Sequence, residues 1–346
     1  MKNWDVIIVG GGIIGLSLAL ELREGNVGVL VLDSGEPGKE ASSAAAGMLA
    51  GADPETPTEL RQFATASAEL YPEFVHKLEA ASGIDVDFRR QGTVALFEGF
   101  DAPPIHRKLS QEELRLLEPA LQPGRCSAFF LAEDSVDPDL LMQAAINAVH
   151  NAGVEIRSYM SVQQIYSFGS HVEMVAGAER FAARVAVNCR GAWAGVPVRP
   201  RKGQMCYLLP QKAGLLSHVV RAPQAYLMPR SSGQILVGAT LEDVGFDKSV
   251  EAGTVEKLCR AASELVPELA SATVVKSWAG LRPGTPDNLP IMGEVESGIL
   301  ISSGHFRNGI LLAPLAAKVM AELIMGKPAT IDIVPFSPAR FAPAPA

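Results

Sequence analysis

The feature that most constrains the fold is a glycine-rich turn near the start of the chain. Residues 6–9, Val-Ile-Ile-Val, form an apolar β-branched run that is typical of a buried parallel strand. The run ends in Gly10-x-Gly12-x-x-Gly15. In such a turn the first glycine permits the tight bend, the second lets backbone N–H groups approach a pyrophosphate, and the third lets helix and strand pack closely. Alone, the motif is a weak signal, because a flexible loop can be equally rich in glycine.

The residues after the turn strengthen the dinucleotide interpretation. A helical segment at 16–23 is followed by a second buried strand, 29–32, that ends on Asp33. The N-terminus of the helix would present its partial positive charge and free N–H donors to a phosphate. Asp33 lies about 20 residues past the turn, where a carboxylate accepts the hydroxyls of a ribose. The complete unit of strand, turn, helix, strand and acid therefore predicts dinucleotide binding.

Length and composition favour a two-domain globular protein. The 346 residues exceed the usual size of a single core. A formal net charge of -8 and the lack of a Lys/Arg-rich block argue against nucleic acid and anionic membranes as partners. The apolar run at 6–20 is too short for a membrane span, holds the glycine motif and follows Asp5 instead of a basic region. We therefore predict no membrane span and no signal peptide.

The cysteines and histidines give no metal or disulfide pattern. The four cysteines are widely spaced and form no C-x-x-C pair, and the six histidines show no H-x-x-x-H spacing. We expect buried or incidental thiols, a cytoplasmic location and no metal site.

The rest of the chain alternates helical and β-rich patterns. Helices are predicted at 57–82, 110–117, 137–151, 255–266 and 310–325, and strands at 93–97, 153–156, 159–166, 181–188, within 205–240, at 278–283 and at 298–302. The tail beyond Pro335 is expected to be loosely ordered. This order predicts an α/β fold in which a β-rich unit is inserted into the dinucleotide unit, to which the chain returns in its middle and at its end.

Four strings carry a resemblance to a known family. They are the glycine motif with Asp33, Ser-Ala-Ala-Ala-Gly-Met-Leu at 43–49, Trp-Ala-Gly-Leu-Arg-Pro-Gly-Thr at 278–285 and Gly-His-Phe-Arg-Asn-Gly-Ile-Leu at 304–311. The first is common to many flavoproteins, whereas the last two are much more specific. Together they resemble the FAD-dependent amine and amino-acid oxidases of the D-amino-acid oxidase family, and within it the glycine oxidases linked to thiamine biosynthesis. The resemblance covers the whole length apart from the Pro/Ala tail.

The resemblance implies a fold and a domain division. The implied fold is α/β, with an FAD-binding Rossmann-like domain at about 1–84, 139–196 and 284–346. An interleaved substrate domain with an antiparallel or mixed sheet would cover about 85–138 and 197–283.

The resemblance also implies residues that bind FAD. We expect this FAD to be bound non-covalently, because no cysteine or histidine lies in a flavinylation motif that we can identify. Those near the pyrophosphate are Gly10, Gly12, Ile13, Ile14 and Gly15, and those near the adenosine ribose and adenine are Asp33, Ser34 and Val162. Beside the pyrophosphate and flavin lie Ala41, Ser42, Ala46, Gly47 and Met48, for which a plain Ala-rich helix is the alternative. Near the flavin pyrimidine are His305, Phe306, Arg307, Asn308, Gly309, Ile310 and Leu311, at a helix N-terminus that would stabilise developing negative charge.

Four residues are implied in substrate binding. Arg282 matches the arginine that holds the substrate carboxylate, since a guanidinium offers a rigid bidentate fork. Arg307 matches a residue near the flavin and substrate, Tyr226 a pocket tyrosine and Met48 a pocket wall. The alternatives are a surface arginine, a structural ion pair, a core aromatic and a core methionine. Leu241 stands where many glycine oxidases have methionine, which conserves volume and questions only fine specificity.

The implied activity is oxidation of glycine or another small amino acid or amine, such as sarcosine or D-alanine. The products would be the 2-oxo acid, ammonia and hydrogen peroxide, with molecular oxygen as the acceptor and a homo-oligomer as the expected assembly. The alternatives are a dehydrogenase of the same fold with another electron acceptor, a non-catalytic flavoprotein that binds a carboxylate, and an NAD enzyme.

Overall fold

Two eight-stranded sheets, a third sheet of two short strands and six α-helices are the main elements of this computed structural model, whose described part is residues 3–51, 53–99 and 107–341. The helices are α1 (Ile13–Glu24), α2 (Thr58–Ser82), α3 (Gln111–Leu117), α4 (Pro138–Asn151), α5 (Ala252–Leu265) and α6 (Gly309–Ile324). The strands are β1 (Asn3–Val9), β2 (Val29–Leu32), β3 (Met48–Leu49), β4 (Thr93–Phe97), β5 (Arg107–Lys108), β6 (Ser127–Leu131), β7 (Asp134–Ser135), β8 (Glu155–Arg157), β9 (Val162–Ser167), β10 (Val172–Ala176), β11 (Glu179–Asn188), β12 (Arg199–Leu209), β13 (Val219–Arg221), β14 (Tyr226–Pro229), β15 (Ile235–Gly238), β16 (Thr273–Gly284), β17 (Ile291–Glu296) and β18 (Ile299–Ser303).

The first sheet is the predicted dinucleotide-binding sheet. Its strand order is β17-β18-β11-β1-β2-β8, and all of these run parallel except β17. β1 lies between β2 and β11, so Ile7 and Ile8 are completely buried, as expected for a central parallel strand. β9 and β10 extend β11 as an antiparallel branch. The predicted α/β fold is therefore confirmed.

Helices α1, α2, α4 and α6 share one apolar core with this sheet, and within it α2 packs against α4 and α6. Two buried hydroxyls of α2 join it to the first turn of α6. The Ser67 hydroxyl donates to the Leu311 carbonyl at 2.7 Å, and the Tyr71 hydroxyl donates to the Ile310 carbonyl at 2.8 Å. These bonds fix the end of α6 that faces the other sheet.

The second sheet is mostly antiparallel and has the order β16-β12-β15-β14-β13-β4-β6-β5. Its longest pairing joins β12 to β16, from Arg199 opposite Gly284 to Leu209 opposite Thr273. The outer face of this sheet packs against α3 and α5 in a separate core. Apart from Gly284 at the end of β16, its strands fall inside the predicted ranges 85–138 and 197–283. The division into two domains itself stays a prediction.

The expectation of a loose tail after Pro335 is wrong for residues 336–341. Phe336 is 1% exposed, and its ring meets that of Phe63 edge-on at 5.3 Å. The Arg340 guanidinium donates to the Asp287 carboxylate and to the Pro290 carbonyl. An aromatic anchor and a charge-assisted pair therefore hold this segment against the first sheet; residues 342–346 lie outside the described part.

The described residues contain no helix that is both long and apolar enough to cross a bilayer. They also contain no group of three or more His, Cys, Asp or Glu side chains placed to hold a metal ion.

Candidate active site

A cavity of about 970 Å³ lies between the two sheets. On one side it meets the carboxyl ends of β1, β2, β11 and β18, which is the edge where ligands bind in open α/β sheets. On the other side it meets the inner face of β12, β14 and β16. Its size is at the upper end of the range for small-molecule sites, which extends to about 1,000 Å³.

The glycine turn forms one end of the cavity. Gly10 has φ 115°, and a Cβ there would overlap the Cys189 carbonyl. A Cβ on Gly12 would lie 3.0 Å from the Ser42 hydroxyl, and that hydroxyl accepts a hydrogen bond from the Ile13 amide at 3.0 Å. Gly12 itself has no side chain to cap α1, and the first turn holds no acidic residue. The positive end of α1 is therefore open to an anion.

Asp33 joins the glycine turn to the loop after β2. Its Oδ2 accepts from the Gly11 amide at 2.6 Å, and its Oδ1 accepts from the Gly35 amide at 2.8 Å. A carboxylate has about four acceptor positions, so two remain for ligand hydroxyls. Asp33 also lines the cavity, together with the neighbouring Ser34.

The small-residue segment at 43–49 crosses the middle of the cavity. It forms a turn that leads into β3, so the alternative of an Ala-rich helix is wrong. A Cβ on Gly280 of β16 would lie 2.6 Å from the Ala44 Cβ. The Trp278 indole donates to the Ala44 carbonyl at 3.2 Å, and the Arg230 guanidinium donates to the Ala46 carbonyl at 2.6 Å. This backbone is thus held against the second sheet, and it lines the cavity.

The segment before α6 forms the opposite wall. His305 is 3% exposed, its Nε2 is buried with no hydrogen-bond partner among the described residues, and burial lowers its pKa to about 4. The ring is therefore neutral at physiological pH. Asn308 precedes α6 without a side-chain cap, so the helix N-terminus also faces the cavity.

Arg282 and Tyr226 lie side by side on the second sheet. The Arg282 Nη1 donates to the Thr240 carbonyl at 3.2 Å, and the Tyr226 hydroxyl donates to the Met205 sulfur at 3.1 Å. Burial lowers the pKa of Arg282, and burial raises the pKa of Tyr226, while attraction between the two groups opposes both shifts. Among the described residues, no carboxylate lies within 4 Å of the Arg282 guanidinium. A guanidinium has five N–H donors, so Arg282 can bind an anionic ligand through those that remain.

Two glycines make space for this pair. A Cβ on Gly203 would overlap the Arg282 guanidinium, and a Cβ on Gly238 would overlap the Tyr226 hydroxyl. Neither role has a local sequence signal, because each depends on strand pairing, of β12 with β16 and of β14 with β15.

Apolar side chains line the space around Tyr226. Met48 packs with Tyr226, Met205 and Trp278 in one cluster. Leu241 lines the cavity at its mouth and is 52% exposed.

Arg307 lies in an ion-pair network at the cavity mouth. Its guanidinium contacts Glu55 at 3.1 Å and Asp53 at 3.4 Å. The Arg221 guanidinium contacts the same Asp53 oxygen at 2.9 Å. Arg307 therefore differs from Arg282, because its charge is already matched by carboxylates.

The structure brings nearly all the predicted site residues to this one cavity. The predicted residues that line it are Gly10, Gly12, Ile13, Ile14, Asp33, Ser34, Ala41, Ser42, Ala46, Met48, Val162, Tyr226, Arg282, His305, Phe306, Arg307, Asn308, Gly309 and Ile310. Gly15, Gly47 and Leu311 do not line it. Gly15 packs against the Gly10 carbonyl, Gly47 against the Val136 carbonyl, and Leu311 belongs to the helical core.

Sequence reasoning missed several lining residues, of which Arg190 is the clearest. Its guanidinium donates to Asn188 at 3.1 Å and to the Val162 carbonyl at 3.3 Å. Arg190 follows β11 as Asp33 follows β2, so its place after a parallel strand could have indicated the site. Asp53, Glu55 and Arg221 had no such signal.

The cavity suits an extended dinucleotide with a planar ring, since it joins the open N-terminus of α1 to the backbone of the small-residue segment. The family described as FAD dependent oxidoreductase matches residues 5–323. The chain belongs to this family. It is therefore an FAD-dependent oxidoreductase, and the predicted cofactor is confirmed.

Relatives match this chain over almost its whole length. It is 34% identical over 349 residues to glycine oxidase of Bacillus licheniformis, covering 94% of each chain. It is 32% identical over 409 residues to hydrogen cyanide synthase subunit HcnC of Pseudomonas aeruginosa, covering 100% of this chain and 98% of that protein. The crystal structure of glycine oxidase from Geobacillus kaustophilus superposes with a TM-score of 0.93 at 32% identity, covering 99% of this chain and 100% of that one. The resemblance to glycine oxidases is confirmed.

Proposed function

We propose that this FAD-dependent oxidoreductase oxidises glycine or another small amino acid or amine, such as sarcosine or D-alanine. The overall reaction with glycine is glycine + O₂ + H₂O → glyoxylate + NH₃ + H₂O₂. We further propose that it supplies the pathway to the thiamine thiazole, acts in the cytoplasm and assembles as a homo-oligomer. The similarity to glycine oxidases over nearly the full length supports the reaction class.

One observation carries the proposal: Arg282 is a half-buried guanidinium that lines the cavity with no carboxylate within 4 Å among the described residues. Loss of water lowers its pKa, so an unmatched charge there is costly and a ligand carboxylate would match it. The adjacent Tyr226 and Met48 leave room for a small ligand but offer no charged partner for a side-chain head group.

The same cavity has places for each part of FAD. Gly12, Ile13 and Ile14 would hold the pyrophosphate at the open end of α1, and Asp33 would bind the ribose. Small residues at 44–46 and the segment before α6 would flank the flavin. Bound FAD supplies the hydride acceptor and non-covalent attachment is expected.

Arg282 would contribute mainly by orientation. A bidentate grip on the carboxylate fixes the rotation of a small amino acid, so its Cα–H bond can point in one direction. Tyr226 keeps its proton because burial raises its pKa, and its hydroxyl can therefore donate a hydrogen bond. The hydride leaves from Cα of the neutral amine, and water hydrolyses the resulting imine to the 2-oxo acid and ammonia. Arg307 would act near the substrate through its charge network.

Anaerobic mixing of the holoenzyme with glycine, sarcosine or D-alanine tests the proposal. We expect loss of the visible flavin absorbance, and one equivalent of hydrogen peroxide per turnover when air is admitted. Flavin that stays oxidised with every amino acid would instead indicate a carboxylate-binding flavoprotein without this activity.

The second candidate is a dehydrogenase that acts on sarcosine or a D-amino acid and uses an acceptor other than oxygen. The chain is about as similar to HcnC as to the glycine oxidases, and the name of HcnC describes another reaction, which supports this second candidate. Rapid anaerobic bleaching followed by slow reoxidation in air, but fast reoxidation with a quinone or dye, would favour this candidate over the oxidase.

A further inference from the structure

The ion-pair network at the cavity mouth joins three distant parts of the chain. Asp53 follows β3, Arg221 ends β13, and Arg307 precedes α6. One oxygen, Asp53 Oδ2, contacts Arg221 at 2.9 Å and Arg307 at 3.4 Å. The Asp53 side chain is only 15% exposed, so solvent screens these contacts incompletely.

Further carboxylates surround the two arginines. Glu55 contacts Arg307 at 3.1 Å, and Glu133 contacts Arg221 at 3.2 Å. Glu98 also lines the cavity at this end. Burial raises the pKa of Glu133, and the charge of Arg221 opposes that rise. The carboxylates therefore outnumber the two guanidinium groups, even with Glu133 left out, and the mouth carries no spare positive charge.

Arg307 is also close enough to Arg282 to matter for a ligand there. Repulsion by the positive charge of Arg307 is one of the causes that lower the pKa of Arg282. Both arginines line the same cavity, but only Arg307 has carboxylate partners within 4 Å among the described residues. If Arg282 binds the carboxylate of a ligand, a second anionic group on that ligand would therefore meet the guanidiniums of Arg307 and Arg221, whose charges are already matched by carboxylates.

We propose that Asp53 is a specificity-determining residue, which excludes substrates with a second anionic group by holding the donors of Arg221 and Arg307. Asp53 acts through these two arginines and takes no part in the chemical step. The inference rests on the proposed function, in which Arg282 binds the substrate carboxylate. It assigns rejection of acidic side chains to charge at the mouth, whereas the apolar walls limit size.

The test compares ligands of equal size and different charge. D-Aspartate and D-asparagine differ in one charge, as do malonate and malonamate. In Asp53→Asn the shape is kept while a negative charge is removed from the two guanidiniums. We expect the ratio of kcat/KM for D-aspartate to that for D-asparagine to rise about tenfold, since one charge a few ångströms away has effects of this size. Calorimetry on the oxidised holoenzyme measures the association constants of malonate and malonamate. The ratio of the malonate constant to the malonamate constant should rise by a similar factor.

The matched control is Glu69→Gln, which makes the same charge change on the exposed face of α2, outside the cavity lining. Both ratios should stay at their wild-type values there. Wild-type ratios in a folded, FAD-bound Asp53→Asn enzyme would overturn the inference. If no amino acid reduces the flavin, the proposed function fails, and the malonate and malonamate constants still decide the role of Asp53.

A second variant tests the inference if the Asp53→Asn protein does not fold. Glu55 is 65% exposed and contacts the same Arg307, so Glu55→Gln removes a charge without disturbing buried packing. We expect a several-fold rise in both ratios. An unchanged pair of ratios in that variant would contradict the inference.

Discussion

The Arg282 guanidinium occupies the space that a side chain at Gly203 would fill. The two residues lie on neighbouring strands, with Gly203 opposite Gly280 and Arg282 opposite Arg201. Because Gly203 on β12 has no side chain, the guanidinium of Arg282, the proposed carboxylate anchor, can lie against the sheet at this point.

Gly203→Ala should displace Arg282 without unfolding the protein. The added methyl group would overlap the guanidinium, which must then leave its bond to the Thr240 carbonyl. We expect KM for glycine to rise about tenfold or more with FAD still bound, since positioning errors of about 1 Å cost that much or more. Gly253→Ala in α5 is the matched control, because nothing lies within 4 Å of a Cβ there. Normal kinetics in Gly203→Ala would show that the space at Gly203 does not position Arg282.

Arg282→Ala should weaken the binding of every carboxylate substrate while FAD stays bound. Loss of a bidentate charged partner is expected to cost about 3 kcal/mol, or near a hundredfold in apparent affinity. Arg282→Lys should recover little, because an ammonium lacks the planar fork. Titration of the flavin spectrum with a carboxylate ligand measures this directly. Wild-type kinetics in both variants would exclude Arg282 as the anchor.

The flavin should be bound without a covalent link. Neither His305, which is buried, nor any cysteine belongs to a flavinylation motif that we can identify. Precipitation of the yellow protein with acid should therefore release the flavin to the supernatant, where its spectrum and mass identify FAD. Colour that remains in the washed pellet would contradict this expectation.

The stability of the protein should fall between pH 6.5 and 4 because of His305. Burial lowers its pKa in the folded protein to about 4, whereas the unfolded chain has the ordinary value near 6.5. Between these two pH values the unfolded chain binds a proton at His305 that the folded protein does not. The free energy of unfolding is therefore unaffected by His305 above pH 6.5 and decreases as the pH falls towards 4. The loss is about 3 kcal/mol at most.

His305→Gln should remove this part of the pH dependence. Urea unfolding of wild type and variant at several pH values, each with saturating FAD, gives the comparison. The difference between the two free energies of unfolding should change steadily from pH 7 to 4.5. Parallel curves would show that His305 does not titrate in this way.

Small substrates should overlap in rate, and long ones should be rejected. Met48 and Tyr226 pack together in the pocket wall, and the half-exposed Leu241 stands at its mouth. Apolar walls discriminate by only about 1–3 kcal/mol per methylene. We therefore expect comparable kcat/KM for glycine, sarcosine and D-alanine, and much lower values for D-phenylalanine and D-glutamate. A clear preference for either of the last two would favour a general D-amino-acid oxidase.

Local signals made the first sheet predictable. The strand predicted at 29–32 is β2 without change, and α1 begins at Ile13, three residues before the predicted start. The helix predicted at 110–117 is α3, and its capping box between Ser110 and Glu113 is a local pattern of residues only three apart. The expectation of a loose tail is wrong there because its Pro/Ala composition does not reveal that Phe336 packs against Phe63.

The contacts that complete the site join residues too far apart for local patterns to show. Asp53 meets Arg307 across 254 positions, and Trp278 meets Ala44 across 234. Arg282 could be singled out because a family motif surrounds it. Nothing comparable marks Arg221, whose role follows only from where β13 ends.

The cavity walls run from Val9 to Ile310, and β1 receives its partner β11 only after residue 179 has been made. A ribosome must therefore translate most of the message before the two helix ends and the second sheet can meet. An N-terminal fragment would carry the whole glycine motif yet lack the enclosure needed to retain a flavin. Colour acquired during synthesis would thus report that the chain has passed residue 310, and a product truncated before that point should stay colourless.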